Sequence, residues 1–122
     1  MSGSNKDEER ENRIMMEAVV DAYGPDERAL GWYYYLEGKL TFPFTARCVT
    51  KRPVSPLKLK DKVKVIGTAP EDECMREMFV TIRWNDDELA VPLSQLEFVN
   101  GDQETREAVE DWHYWVKQGY EF

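Results

Sequence analysis

Along this chain the spacing of apolar positions changes twice, and each change marks a new kind of element. Over residues 8 to 22, Ile14, Met15, Ala18, Val19 and Ala22 recur three and four apart, which predicts one amphipathic helix. Tyr23-Gly24-Pro25 ends it, because the residue before a proline disfavours the helical conformation. Pro25 then opens a second helix, with Asp26 and Glu27 in the first turn at the positive end of its dipole. Ala29, Tyr33, Leu36 and Leu40 form its apolar stripe, and Gly38-Lys39 ahead of Pro43 marks its fraying end. The four successive rings Trp32-Tyr33-Tyr34-Tyr35 point all round such a helix, so some face the core and others the surface. From residue 44 the period falls to two, the signature of half-buried strands. Strands are expected over 44–50, 62–68, 79–84 and 88–93, with a short closing strand at Phe98-Val99. Asn100-Gly101-Asp102 reads as a turn, and a final helix over about 104–117 places Ala108, Trp112, Trp115 and Val116 on one face.

This order predicts an α+β fold: a small SH3-like five-stranded antiparallel barrel with two N-terminal helices and one C-terminal helix. At 122 residues a single domain over 1–122 is expected, large enough to bury a modest core. Residues 1–7 are expected to be disordered, 8–40 helical, 44–99 the barrel and 104–117 the last helix. Six tyrosines, four tryptophans and five phenylalanines supply bulk for the core.

Charge alters the picture next. The net charge is −8, but it is unevenly placed. Arg47, Lys51, Arg52, Lys58, Lys60, Lys62 and Lys64 stand against Asp61 alone. This basic band sits in an otherwise acidic chain, whose overall sign disfavours nucleic acid and favours cationic partners. No run approaches the roughly 18 apolar residues of a membrane span. The polar start MSGSNKDEERE is not a signal sequence, so a cytoplasmic protein is expected. Cys48 and Cys74 are read as reduced thiols, too few and too far apart for a zinc knuckle.

Two connections concentrate carboxylates. The first carries Glu71, Asp72, Glu73 and Glu77, the second Asp86, Asp87 and Glu88. They lie at opposite ends of the strand 79–84, about 20 Å apart at ~3.4 Å per residue, so no single ion touches both. Calcium takes six to eight oxygens in irregular geometry, more than one loop supplies, and the EF-hand spacing is absent. On composition alone, both connections read as solvated turns. Enzyme chemistry finds little support: the single histidine, His113, lies between Trp112 and Tyr114 with no nucleophile placed beside it by any motif. No phosphate loop, nucleophile elbow or HExxH pattern occurs, and no catalytic activity is expected. A rival reading makes the basic loop 51–62 an interaction surface for protein or nucleic acid.

Several longer strings are distinctive. Val20-Asp21-Ala22-Tyr23-Gly24-Pro25, Gly31-Trp32-Tyr33-Tyr34-Tyr35-Leu36-Glu37, Phe79-Val80-Thr81-Ile82-Arg83-Trp84 and Val109-Glu110-Asp111-Trp112-His113-Tyr114-Trp115 resemble a family of small acidic, non-EF-hand calcium-binding proteins known from cyanobacteria. The resemblance runs from about residue 14 to 116. It implies calcium binding through a negatively charged surface, and a cytosolic buffering role linked in that family to heterocyst formation. It moves the first acidic connection toward a calcium site, and charge and loop placement, rather than the resemblance, single out Glu71, Asp72 and Glu73 with Glu37, Asp26 or Glu27 of the second helix as its ligands. Asp86, Asp87 and Glu88 remain candidates for a second, weaker site. The resemblance also leads one to expect an acidic residue where Gly38 stands.

Overall fold

The computed structural model describes residues 7–120. Expectations for residues 1 to 6 lie outside them. Asp7, assigned to the disordered start, is instead a helix cap whose carboxylate accepts the Arg10 backbone N–H at 3.0 Å. Helix α1 (Glu8–Arg13) follows, then widens into a π-helical segment, Ile14–Ala18. The helix expected to reach residue 22 stops there, and Asp21 takes a left-handed φ of 56°. Helix α2 is Pro25–Lys39. The strands are β1 (Phe44–Cys48), β2 (Lys62–Thr68), β3 (Phe79–Trp84), β4 (Asp87–Pro92) and β5 (Leu96–Asn100), and helix α3 is Gln103–Lys117.

The fold is α+β, with all five strands in one antiparallel sheet of order β4-β3-β2-β1-β5. The barrel does not close. No ladder joins the edge strands β4 and β5, which are linked only by a 3₁₀ turn at Leu93–Gln95. Pro92 has no N–H to donate at that corner, and the Leu93 N–H turns back to the Met78 carbonyl at 2.9 Å. Helix α3 packs on both β5 and this turn.

One hydrophobic core joins helices and sheet. The aromatic run of α2 divides as a helix requires: Trp32 and Tyr35 are buried, Tyr33 is half-buried and Tyr34 is 57% exposed. Trp32 meets Trp112 and Trp115 edge-on at 5.0 and 5.6 Å between centroids, a favoured aromatic geometry. Two positions assigned to apolar faces, Met15 and Val116, are exposed instead. Asp111, one turn from Ala108 on α3, is fully buried. Its carboxylate accepts from Arg10 Nη1 (2.9 Å), Arg13 Nε and Nη2 (3.0 and 2.7 Å) and the Tyr35 hydroxyl (2.6 Å). All three helices are therefore tied to one anion.

Gly31 explains how close α2 lies to the π segment. A Cβ there would stand 2.1 Å from the Ala18 carbonyl oxygen, a backbone atom with little freedom to withdraw. Alanine in an exposed helix interior is worth about 1 kcal/mol over glycine, but here the clash outweighs that gain. Gly31→Ala is expected to lose about 1–3 kcal/mol of stability, read from urea unfolding. A variant as stable as the parent would show that the two segments separate freely.

Candidate functional site

The first acidic connection runs from β2 to β3 and contains a short 3₁₀ helix, Glu71–Cys74. Cys74 is its anchor. The thiol is buried and receives the Phe79 N–H at 3.5 Å, and burial raises its pKa, keeping it protonated. Glu71, Asp72 and Glu73 are all exposed. A 3₁₀ helix has about three residues per turn, so successive side chains fan out around the axis rather than converging. Among the described residues, no three His, Cys, Asp or Glu side chains are already gathered as a metal would hold them.

Helix α2 supplies the neighbouring surface. The Tyr34 hydroxyl donates to Glu71 Oε2 at 3.0 Å. Its pKa is raised, first by that bond and the Glu71 charge, with a smaller contribution from Glu37. Glu37, exposed and one turn further along α2, thus shares an electrostatic neighbourhood with the connection. Asp26 and Glu27 lie at the other end of α2. Glu37 stands eleven positions after Asp26 on the helix, about 16 Å at ~1.5 Å per residue, so one ion cannot bind both. Glu27 is also engaged locally, accepting the Tyr23 N–H at 2.8 Å. The connection runs alongside α2 toward that end: Met75, Arg76 and Glu77 line a cleft of about 440 Å³ with Pro25, Trp112 and Trp115.

Glu77 is already neutralised. Arg52, from the basic loop, donates to both its oxygens at 3.2 and 2.7 Å, and Glu77 in turn raises the Arg52 pKa. Sequence reasoning missed this partner, because Glu77 stands 25 positions after Arg52, across a strand, and no local spacing relates them. It also missed Tyr34, whose only signal was its place one turn before Glu37.

The second acidic connection is tighter than expected. Trp84 pairs with Asp87, leaving a two-residue turn in which Asn85 and Asp86 take φ values of 48° and 65°. That is the backbone twist hairpins favour, at residue types that tolerate it. Asp87 and Glu88 belong to β4, where successive side chains point to opposite faces. Glu88 also stands directly across from Arg83. Asp86, Asp87 and Glu88 are therefore adjacent without converging. His113 Nε2 meets the Leu96 carbonyl oxygen, a backbone partner rather than a catalytic one.

A calcium-binding family model, CcbP, matches residues 12–116. The chain belongs to that family. It is a calcium-binding family, not an enzyme family. A crystal structure of Anabaena CcbP is 41% identical over the whole of both chains, with a TM-score of 0.87. A structure of a calcium binding protein in the calcium-binding form is 40% identical, again over the whole of both chains, with a TM-score of 0.86. No curated protein matches the chain. Among the described residues, no helix is long and apolar enough to cross a membrane.

Proposed function

We propose that this chain binds calcium through Glu71, Asp72 and Glu73 of the first connection together with Glu37 of α2, and that it works as a cytosolic calcium buffer. The observation that carries this reading is the Tyr34–Glu71 hydrogen bond beside Glu37. It holds Glu71 against α2 beside the residue that also senses the Glu37 charge. The donor chemistry fits: every candidate ligand is a carboxylate oxygen, which suits a hard cation. The carboxylates are dispersed, so the ion must draw them together, and relief of their mutual repulsion favours binding. Asp26 and Glu27 stand too far from Glu37 to join that ion. Asp86, Asp87 and Glu88 form the weaker second candidate, since alternation along β4 works against convergence. Family membership supports calcium as the cargo.

Chelator-treated protein given calcium at about 100 times its Kd should gain about 2.7 kcal/mol, an upward shift of at least ~5 °C in Tm. An unmoved midpoint and no calorimetric heat would refute the reading. Gly38 offers a second check. It follows Glu37, lies four residues from Tyr34, and has open space where a Cβ would go. Gly38→Asp should tighten calcium binding, measured by titration calorimetry. Apo stability should hold nearly constant, because leaving glycine is offset by an unfavourable charge near the helix C-terminus.

A further inference from the structure

The basic band forms a groove that calcium binding does not use. Arg47, Cys48, Val49, Leu59, Lys60 and Lys62 line a depression of about 560 Å³ beside the β1–β2 loop. Its rim is apolar as well as cationic: Val49 and Leu59 are 41% and 54% exposed. Arg47 is neutralised by Glu97. Among the described residues, Lys60 and Lys62 form no ion pair, nor do the neighbouring exposed Lys51, Lys58 and Lys64. In a protein of net charge −8, five uncompensated lysines around exposed aliphatic side chains are not explained by internal neutralisation.

The loop is also well held. The Cys48 N–H donates to the Asp61 carbonyl and the Lys60 N–H to the Cys48 carbonyl, both at 2.8 Å. The Val49 N–H reaches the Gln95 carbonyl at 2.8 Å, Leu57 is buried beneath, and Arg52 ties the loop to Glu77. Lys60 has a φ of 76°, a conformation glycine adopts without strain and lysine does not. A lysine is nevertheless found there, and it lines the groove. Strained residues of this kind concentrate at functional positions.

We propose that this groove docks a segment of a partner protein that is acidic and carries aliphatic side chains. Charge complementarity selects the acidic residues, and the exposed Val49 and Leu59 supply the apolar contacts that discriminate among acidic chains. A flat bilayer cannot enter a concave groove. The lining also offers no aromatic ring on which nucleic-acid bases could stack.

The test uses the full chain and a fluorescein-labelled peptide of alternating glutamate and leucine, with a second peptide in which serine replaces every leucine. The leucine peptide should bind at least about fivefold tighter than the serine peptide. Leu59→Ser should erase that difference. Lys60→Glu/Lys62→Glu should weaken the leucine peptide about tenfold or more, and Lys58→Glu/Lys62→Glu should weaken it without disturbing the left-handed residue. All variants should retain the parent calcium response. Equal binding of both peptides, or no binding of either, would overturn the proposal. So would tighter binding of phosphatidylglycerol vesicles or an oligothymidylate than of the leucine peptide.

Discussion

Asp111→Ala should remove about 3 kcal/mol of stability, a large share of the 5–15 kcal/mol that folded domains typically possess. Four hydrogen bonds converge on this fully buried carboxylate, three from Arg10 and Arg13 of α1 and one from Tyr35 of α2. The net worth of a buried ion pair over an apolar substitute is small. Deleting one partner is different, because it strands the others, and typical losses are about 3–5 kcal/mol. The lower end applies here. Arg10 keeps Asp7 and Glu110 nearby, Arg13 keeps Glu107 at 3.7 Å, and both arginines are about one-fifth exposed. Urea unfolding of the chelator-treated variant, with an unchanged m-value, reads the effect directly. A loss below about 1 kcal/mol would place the network among ordinary surface pairs.

Tyr35 gives the same cluster a pH signature. Its pKa is raised, first by burial and then by its bond to Asp111. The folded state therefore holds this proton to higher pH than the unfolded state does. Its contribution is complete below the ordinary tyrosine value of 10.0 and is lost as pH rises from there toward the folded value, because unfolding releases a proton. Tyr35→Phe should flatten the alkaline limb of a Tm-against-pH curve. An unaltered limb would mean that the hydroxyl is not the group responsible.

Much of the fold could be read from periodicity because burial enforces it. The expected strands 62–68 and 79–84 occupy those residues in the structure, since Val63, Val65, Val80 and Ile82 alternate into the core. Helix α2 likewise begins at Pro25, where the fixed backbone angle of proline suits a first turn. What escaped were features set by contact between distant segments. The π segment and early stop of the first helix lie where Gly31 of α2 comes close to the Ala18 backbone. The open sheet edge depends on where the Leu93 N–H finds a carbonyl. Asp111 resembles a surface residue by type, and only the meeting of two arginines and a tyrosine around it makes burial tolerable. The candidate site divides in the same way. Its carboxylates were visible as a dense run, whereas Tyr34 as their link to α2, and Arg52 as the residue that occupies Glu77, depend on tertiary approach.

Neutralising that run is expected to have the largest functional effect. Glu71→Gln/Asp72→Asn/Glu73→Gln keeps side-chain size and leaves the Tyr34 hydroxyl an amide oxygen to donate to, but it removes three charges from one exposed turn. Under the proposed function, the triple variant should lose the calcium-induced rise in Tm and the calorimetric heat, with Kd weakened at least ~100-fold. Each charged ligand lost from a calcium site leaves fewer hard, anionic oxygens to offset dehydration of the ion. Without calcium, the same variant should be as stable as the parent or slightly more so, because adjacent like charges no longer repel one another. The two results together separate a ligand role from a structural one. A merely structural role would lower apo stability and leave the calcium increment intact. Asp86→Asn/Asp87→Asn/Glu88→Gln, made in parallel, should leave the main binding event in place, because those carboxylates sit on a two-residue turn and on opposite faces of β4. If this second triple variant abolished calcium binding while the first did not, the site would belong to the β3–β4 hairpin and the assignment to the first connection would fall.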